Sequence, residues 1–510
     1  MSDRRRFLEA LGALGVSQAL PVRAAGRKVS FDTYPFALGV ASGYPQPDGM
    51  VLWTRLAGSL DAVALPVRWE VAQDEAMRNI VASGSTEAHP AWAHSVHVEP
   101  RGLESDRWYF YRFLAGDAVS PVGRTRTAPA ANAAVPRLRF ALASCQHYEH
   151  GYYTAYPHMA ADDLDLVVFL GDYIYESSLR RNQVRQHERA EEPVSLAEYR
   201  ARHALYKTDV NLQAAHRTFP WIVTWDDHEV DNDYANDRQE DGATPEEFLL
   251  RRAAAYRAYY EHMPLPAAMR PSGPAMPIHA VWPWGKLANF YLLDGRQYRS
   301  PQACPKKAGG GTDVDPRECV ELHELSRTML GAAQEGWLDR QFAASRATWN
   351  VIAQQGVMAQ VGFVSGANQR VWSDGWDGYP AARARLLESV VARGLANPVV
   401  IGGDTHMHFV NELKRDFRDP GSPTVASEFA GTSITSSPGV WQKLLPAVMA
   451  ANPHVKYARG DRRGYVRARI EAGRFGAELI GVETVRMPES RAEVLARFVV
   501  EDGKPGPRPA

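Results

Sequence analysis

Short apolar runs recur along the second part of the chain and are separated by longer stretches with helical periodicity. The runs lie at 137–145, 164–170, 220–226, 288–294, 348–355 and 397–404, and the helical stretches lie at 195–207, 245–263, 335–345 and 381–395. Strands that are buried on both faces of a sheet have such continuous apolar sequences. The alternation of strand and helix therefore predicts a layered α/β domain over residues 137–500.

Residues 30–128 have a different pattern, in which strand-like segments follow one another without helical stretches between them. The segments lie at 51–56, 65–74, 94–100 and 107–116, with turn residues between them. This pattern predicts an N-terminal all-β domain, a sandwich of the immunoglobulin-like type. Residues 129–136 are rich in alanine and predict a linker, and residues 501–510 predict a flexible tail.

Charge and hydropathy exclude several classes of partner. The chain has 58 lysine and arginine residues against 59 aspartate and glutamate residues, which gives a net charge of −1. This balance provides no basic field for a nucleic acid, and no polybasic block for an anionic membrane. The sequence also lacks a run of about 18 apolar residues, so no transmembrane helix is predicted.

The N-terminus carries an export pattern. An RRxFL motif at residues 4–8 precedes a mildly apolar stretch, and small residues near Ala25 suit a signal peptidase. The pattern resembles a twin-arginine signal over residues 1–25, and its alternative is a disordered basic start. It predicts that the twin-arginine translocase exports the protein, which then works in the periplasm or outside the cell.

The chain has three cysteines. Cys304 and Cys319 lie in one polar, glycine-rich stretch, and in an exported protein we expect them to form a disulfide that closes this loop. Cys145 is left without a partner and follows an apolar run.

Side chains that can bind metals follow several of the predicted strands. They are Cys145 after the first run, Asp172 and Tyr175 after the second, Asp227, His228 and Asn232 after the third, and Asp404 and His406 after the last. Taken singly, each has a structural alternative, such as a core cysteine or a Gly-Asp turn. Because the carboxyl ends of parallel strands meet at one edge of a sheet, the whole set instead predicts a metal site.

The order of these motifs resembles that of the calcineurin-like metallophosphatases and purple acid phosphatases, whose blocks read D-x-H, GDxxY, GNHE and GHxH. Here GDxxY is kept, but Cys145, Asp227 and Asp404 replace the first aspartate, the asparagine and the first histidine. This variant looks like the PhoD-type alkaline phosphatases. Segments at 35–56, 293–299, 376–383, 428–436 and 462–466 are also similar to that family, so the resemblance covers nearly the whole chain.

The resemblance implies an Fe³⁺ site next to Ca²⁺. The implied iron ligands are Cys145, Asp172, Tyr175 and His406, and the implied calcium ligands are Asp172, which would bridge the two metals, Asp227, Asp404 and Asn232. Thiolate, phenolate, carboxylate and imidazole together suit a trivalent iron. The replacement of asparagine and histidine by carboxylates makes the second site rich in hard oxygen donors, which calcium prefers.

The implied activity is the hydrolysis of phosphomonoesters and phosphodiesters by a metal-activated water, for phosphate scavenging. His228 is a candidate to protonate the leaving alkoxide, and its alternative is a structural or capping histidine. Arg296 is a candidate to clamp the phosphate, and its alternative is a salt bridge to Asp294 or another acid. The role of His408 stays open.

Other functions remain as alternatives. The first is a phospholipase D-like phosphodiesterase of the same family, so that nucleotides or phospholipid head groups join small phosphate esters as candidate substrates. The second is an extracellular binding protein whose hydrolase domain is degenerate. Its weakness is that a ligand-competent side chain fills every expected metal position. A serine hydrolase is least favoured, since the chain lacks a GxSxG elbow.

Overall fold

The computed structural model describes residues 30–60, 62–179, 181–363, 370–419, 421–439 and 441–510. The export signal predicted at 1–25 lies outside these residues. Among the described helices, none combines the length and the apolar character needed to cross a membrane.

The elements are numbered along the chain. The strands are β1 (Val40–Gln46), β2 (Gly49–Arg55), β3 (Leu65–Ala72), β4 (Ile80–Ala88), β5 (Ser95–Val98), β6 (Trp108–Ala115), β7 (Ala118–Val119), β8 (Gly123–Arg126), β9 (Arg137–Ala143), β10 (Leu166–Leu170), β11 (Pro220–Thr224), β12 (Ala280–Trp284), β13 (Ala288–Leu292), β14 (Asp313–Val314), β15 (Trp349–Ala353), β16 (Val371–Trp372), β17 (Pro398–Gly402), β18 (His408–Lys414), β19 (Thr424–Ala430), β20 (Val455–Arg459), β21 (Arg463–Glu471), β22 (Arg474–Val482), β23 (Ala492–Glu501) and β24 (Lys504–Pro509). The helices are α1 (Ala155–Ala161), α2 (Leu196–Lys207), α3 (Val210–Thr218), α4 (Pro245–His262), α5 (Gly331–Ala344), α6 (Pro380–Ala392) and α7 (Leu445–Ala451), and short 3-10 helices include Trp376–Gly378 and Trp441–Leu444.

Two large sheets stack face to face and form the centre of the molecule. The first has the strand order β24-β23-β22-β21-β9-β10-β11-β1-β2-β5, and the second has the order β12-β13-β15-β17-β19-β18-β20. Phe140 meets Phe290 between them with ring centroids 5.3 Å apart, and Phe429 stacks on Phe475 at 5.4 Å. Apolar side chains of both sheets form one continuous core, whose burial is the main force that holds the layers together.

Helices cover the outer faces, so the second domain is an α/β/β/α sandwich. In the second sheet, Val351 and Val399 face the other sheet, whereas Ile352 and Val400 join the outer core together with side chains of α5 and α6. The first sheet carries α3, which packs on β1 and β11. The sequence-predicted helices α2 and α4 are present, and each begins with a capping box, which fixes its first turn.

The N-terminal all-β domain shares a sheet with the second domain. β1, β2 and β5 extend the first large sheet, because β1 pairs in parallel with β11, with Ser42 opposite Pro220. β3, β4, β6, β7 and β8 form the other layer, and Val40, Val67 and Tyr111 belong to the core between the layers. The predicted combination of an α/β domain with an all-β domain is confirmed. The shared sheet was not predicted, since pairing between strands so distant in sequence leaves no local pattern.

The C-terminal residues 501–510 are not the flexible tail that their composition predicted. Residues 504–509 form β24, which pairs antiparallel with β23, and Gly506 donates its backbone N–H to Ser427 Oγ at 2.9 Å. Gly503 has a φ of 70°, which suits the tight turn before the strand. The prolines of β24 are tolerated because this strand lies at the edge of the sheet, where a strand needs backbone donors on one side only.

The expected disulfide is present between Cys304 and Cys319, whose Cα atoms lie 6.1 Å apart. Changing both cysteines to serine is expected to lower the free energy of unfolding by about 3 kcal/mol, because a loop of 15 residues is then no longer closed in the unfolded chain. Denaturant titration measures this loss. A reductant should cause the same loss of stability in the wild type and should leave the stability of the double variant unchanged. Equal stability of the oxidised wild type and the double variant would contradict the expectation.

Candidate metal centre

The predicted ligands converge at one end of the stacked sheets. β9, β10 and β11 are parallel neighbours in the first sheet, and their carboxyl ends lead to Cys145, Asp172 and Asp227. β17 ends at Gly402 in the second sheet and leads to Asp404 and His406. Both sheets therefore deliver polar side chains to the same edge, as the sequence predicted.

The backbone at these positions is left-handed. The φ angles are 60° at Cys145, 58° at Asp172, 63° at Asp404 and 60° at His406. For a side chain other than glycine this conformation costs on the order of 1–2 kcal/mol. Its repetition at four predicted ligands indicates that the fold accepts strain in order to aim these side chains.

Gly171 makes this arrangement possible between β10 and β11. Its φ is 102°, and a Cβ atom placed there would lie 2.5 Å from the Cβ atom of Asp226. On the β9 side, Gly171 O accepts a hydrogen bond from the backbone N–H of Cys145 at 3.1 Å. A larger residue would push apart the strand ends that carry the ligands.

The first donor group consists of Cys145, Asp172 and His406, which offer ligand atoms that all lie within 4.8 Å of one another. The Tyr175 hydroxyl joins them, 2.8 Å from Asp172 Oδ2 and 3.0 Å from His406 Nε2. His406 Nδ1 lies 2.9 Å from Ser437 O, a contact that leaves Nε2 directed to the group. Sulfur, oxygen and nitrogen donors thus meet in one buried place.

The second donor group consists of Asp172, Asp227 and His228, whose ligand atoms also lie within 4.8 Å of one another. Asp172 belongs to both groups, so its carboxylate can bridge two cations. Asp404 and Asn232 line the same cavity as Asp227 and His228. All the predicted ligands therefore lie in or beside these two groups.

Several carboxylate oxygens in the centre are buried without a hydrogen-bond partner among the described residues. They are Asp172 Oδ1, Asp226 Oδ2 and Asp227 Oδ1, and the last lies 3.4 Å from Arg296 Nη2. Burial, together with the carboxylates of Asp226 and Asp227, raises the pKa of Asp404 well above its usual value, and the pKa of Asp172 is raised for the same reasons. A bound cation would compensate the buried charges, so the residues present fit a metal.

Comparisons with known proteins agree with this geometry. A family model described as PhoD-like phosphatase matches residues 140–479, and one described as PhoD-like phosphatase, N-terminal domain, matches residues 22–129. The chain belongs to the PhoD-like phosphatase family. The family resemblance found in the sequence is confirmed.

Individual relatives support the same conclusion. Alkaline phosphatase D of Bacillus subtilis (strain 168) is 44% identical over 526 aligned positions, which cover 99% of this chain and 89% of that protein. The solved structure described as Structure of PhoD superimposes with a TM-score of 0.89 at 44% identity and covers 94% of this chain and 93% of its own. The protein is accordingly a phosphoric ester hydrolase, and a degenerate binding module is not supported.

In this PhoD-like phosphatase, His228 lies at the border between the centre and the cavity. Its Nδ1 is 2.7 Å from Glu176 Oε2, and its ring stacks on Tyr175 with centroids 4.1 Å apart. Burial alone would lower the pKa of His228, but Glu176 and Asp227 raise it well above the usual value. Glu176 and Tyr175 thus fix the orientation of the His228 ring, and Glu176 favours its protonated form. Glu176, its partner, was missed although it directly follows the GDYIY segment.

Arg296 is buried inside the PhoD-like centre and is not free to clamp a phosphate. Its guanidinium donates from Nε to Asp226 at 2.5 Å and from Nη1 to Asp374 at 2.9 Å, and Nη2 lies 3.4 Å from Asp227. Its side chain is only 2% exposed. The salt-bridge alternative is therefore the better interpretation, although the partners are other acids than Asp294, whose carboxylate accepts from the Arg296 backbone N–H.

The roles of two further side chains also follow from their contacts. His408 is fully buried, its Nδ1 accepts from the backbone N–H of Thr432 at 3.2 Å, and its Nε2 lies 3.4 Å from Ile480 O. Both nitrogens are occupied by backbone groups, so His408 is a structural residue. Asn232 Nδ2 donates to Glu240 Oε2 at 3.2 Å, which ties this predicted ligand to the cavity wall.

Glu229 and Ser436 make hydrogen bonds that hold the candidate ligands in place, a role that the sequence did not assign to either residue. Glu229 accepts backbone N–H groups from Asp172 at 3.2 Å and from Asp226 at 2.8 Å, which joins the ends of two strands. Ser436 Oγ lies 2.8 Å from the Tyr175 hydroxyl and 2.9 Å from Cys145 O. The only signals were their places in the DDHE block and in the family-like segment 428–436.

Proposed function

We propose that this PhoD-like phosphatase hydrolyses phosphomonoesters and phosphodiesters with Fe³⁺ and Ca²⁺ as metal cofactors. The observation that carries the proposal is the meeting of Cys145, Tyr175 and His406 with the buried, unpartnered carboxylate oxygens of Asp172 and Asp227. Cys145, Asp172, Tyr175 and His406 would hold the iron. Asp172, Asp227, Asp404 and Asn232 would hold calcium.

The donor chemistry supports different metals in the two groups. Thiolate and phenolate donors favour a trivalent iron, whereas Asp172, Asp227 and Asp404 offer hard carboxylate oxygens that calcium prefers. Metals bound there would neutralise phosphate oxygens and lower the pKa of water. Burial and the neighbouring Asp172 raise the pKa of the Cys145 thiol well above its usual value, so metal binding has to displace its proton.

The side chains of the centre then have distinct tasks. His228 Nδ1 is occupied by Glu176, so Nε2 is the atom that gives a proton to the leaving alkoxide. Glu176 holds this ring in place and stabilises its protonated form. Arg296 keeps Asp226 and Asp227 in position through its buried ion pairs.

We further propose that the twin-arginine translocase exports the protein to the periplasm or the medium, where it releases phosphate from small esters. The RRxFL motif at residues 4–8 and the Cys304–Cys319 disulfide support this place of action. Changing Arg4 and Arg5 to lysine should leave the protein inside the cell, and fractionation with a phosphatase assay measures this. Unchanged export of the variant would exclude the twin-arginine route.

Element analysis by mass spectrometry tests the metal assignment on protein purified after native export. About one iron with one or two calcium ions per chain is expected. Two zinc or manganese ions would keep the hydrolase but overturn the assignment of ligands. Folded protein without stoichiometric metal, inactive on every phosphate ester, would overturn the proposal.

Tyr175→Phe tests the phenolate ligand. A tyrosinate bound to ferric iron absorbs visible light, so the wild type should be coloured and the variant should lose this band. Phenylalanine keeps the ring that stacks on His228, so the fold should be retained. The visible spectrum at measured iron content is the readout. The control Tyr34→Phe, at an exposed tyrosine, should keep the colour. If Tyr175→Phe keeps both its iron and its visible band, Tyr175 is excluded as a ligand.

His228→Asn tests the proton donor. We expect kcat to fall on the order of 10²-fold for esters of alkyl alcohols, which need a protonated leaving group, and less for esters of acidic phenols. Steady-state kinetics with both kinds of ester measure this difference. His89→Asn, at an exposed histidine of the N-terminal domain, is the matched control. An equal loss for both esters would indicate a structural role for His228.

A further inference from the structure

The cavity at the metal centre continues into an apolar wall for which the chemistry of phosphate hydrolysis alone gives no reason. The cavity measures about 560 Å³, which is the size of a pocket for a small organic ligand. Asp227, Asp404 and His406 line one part of it. Phe363 and Trp441 are among the apolar side chains that line the rest. An ester whose phosphate lies at the centre would therefore place its organic group against this wall.

Three aromatic side chains, Phe363, Trp441 and Trp372, form the wall and are called the aromatic wall below. Phe363 meets Trp441 edge to face, with ring centroids 5.4 Å apart and planes at 72°. Trp372 meets Trp441 in the same manner, at 5.5 Å and 74°. Trp372 remains 36% exposed, which is a large unburied area for a tryptophan. The exposed part of Trp372 is available for contact with a further aromatic ring, and such contacts are favourable.

Contacts with the metal centre hold the aromatic wall in place. Trp372 lies in β16, which pairs with β14, and its ring packs against Gly311, where a Cβ atom would lie 2.7 Å from the indole. Gly311 donates its backbone N–H to Asp233 Oδ2 at 2.9 Å, and the backbone N–H of Asp233 donates to Asp227 Oδ2 at 2.7 Å. A short chain of contacts thus connects Trp372 to a candidate metal ligand, which makes the wall a fixed part of the site.

The charges that line the cavity limit which organic groups of an ester can bind there. Asp233 and Glu240 also line it, so an additional anionic group on the substrate would meet carboxylates. A group that carries no negative charge avoids this repulsion, and an uncharged aromatic ring meets this condition. A flat aromatic group gains ring-to-ring contacts with indole and phenyl faces in addition to the area that it buries, whereas an alkyl chain gains the area alone.

We propose that the aromatic wall binds a neutral, flat aromatic ring carried by the ester group of the substrate. The enzyme accordingly prefers phosphate esters with an aromatic organic group, such as aryl-alkyl esters or nucleoside monoesters, over esters of simple alcohols. This proposal rests on the proposed phosphatase activity and specifies its substrate class. Trp372 and Trp441 are the residues that determine this specificity.

Three esters with similar leaving groups test the preference. They are 2-(1-naphthyl)ethyl phosphate, n-butyl phosphate and n-dodecyl phosphate, all esters of primary alcohols, so differences in KM report on the organic group. The double variant W372L/W441L should raise KM for the naphthyl ester about tenfold and should change KM for the butyl ester less than twofold. The double variant W372F/W441F keeps aromatic faces and should stay within about threefold of the wild type for the naphthyl ester.

Controls separate this effect from damage to the fold. Trp92→Leu, at a partly buried tryptophan of the N-terminal domain, should change neither KM, and thermal unfolding should be cooperative in every variant. Calorimetric titration with the naphthyl and butyl phosphonates, which are not hydrolysed, repeats the comparison without catalysis. The phosphonate affinities should show the same tenfold change in W372L/W441L.

The alternative results distinguish a failure of the aromatic site from a failure of the proposed phosphatase activity. A larger loss for the dodecyl ester than for the naphthyl ester would assign the wall to an alkyl chain, as a lipid substrate would require. Equal losses for all three esters would make the tryptophans structural. Wild type that hydrolyses none of the esters, yet binds the naphthyl phosphonate more tightly than the butyl phosphonate, would refute the proposed function and keep the aromatic site.

Discussion

Asp172→Asn is expected to abolish phosphatase activity, with a fall in kcat/KM of at least about 10³-fold, or 4 kcal/mol. Asp172 contributes to both donor groups, so its loss weakens both metal sites at once. Asparagine is neutral and offers one oxygen, and it cannot bridge two cations as a carboxylate does. The value of kcat/KM and the metal content per chain, measured on the same preparation, should fall together. Asp48→Asn, at an exposed carboxylate paired with Arg101, is the matched control.

The same substitution should stabilise the protein once the metals are removed. Asp172 Oδ1 is buried without a hydrogen-bond partner in the described part of the chain, and Asp226 and Asp227 lie close to it. Removing one of these crowded negative charges relieves repulsion. The free energy of unfolding of metal-free Asp172→Asn should therefore be about 1–2 kcal/mol higher than that of the metal-free wild type. Denaturant titration after chelation measures this. A variant that stays active would contradict the bridging role. A variant that is less stable than the wild type without metal would contradict the repulsion between the carboxylates.

The sequence predicted the parts of this centre that local patterns encode. Buried strands such as β10 and β17 are visible as apolar runs, and the residues after them, Asp172 and Asp404, lie at the predicted edge of the sheets. Helices with capping boxes, such as α2, were predicted close to their observed bounds. In each case neighbouring residues contain the whole signal, as hydrophobic periodicity or as capping chemistry.

Features that depend on residues distant in sequence were not predicted. The parallel pairing of β1 with β11 and the two-residue pairing of β14 with β16 are decided by tertiary packing. The left-handed backbone at Cys145 is also set by its surroundings, because cysteine does not favour that conformation. The aromatic wall is of the same kind, since Phe363, Trp372 and Trp441 are separated along the chain and meet only in the fold.

For Arg296 the sequence predicted a position near the candidate metal site but left two roles open. A strand-end arginine next to a candidate metal site is compatible with a phosphate clamp and with an internal ion pair, and the two cannot be separated in the sequence. Burial decides between them: a clamp needs an open guanidinium, whereas that of Arg296 is directed at Asp226, Asp227 and Asp374. The centre thus contains a fixed organic cation beside the places for metals.

Arg296→Met is therefore expected to destabilise the protein by about 3–5 kcal/mol, the usual cost of removing one partner from a buried ion pair. Methionine fills a similar volume but leaves Asp226 without its cation, whereas Asp374 keeps its ion pair with Arg299. Denaturant titration measures the loss. Arg101→Met is the matched control, since Arg101 also pairs with two acids but is 50% exposed, and its loss should cost at most about 1 kcal/mol.

Metal content separates the two roles of Arg296. If the side chain positions the centre, Arg296→Met should bind less metal and lose kcat, because Asp227 is no longer held by its neighbour Arg296. A phosphate clamp would instead give a raised KM at unchanged metal content and unchanged stability, and that result would contradict the present interpretation. Arg296→Lys keeps the charge but not the planar fork that meets several carboxylates, so it should recover part of the stability and less of the metal binding.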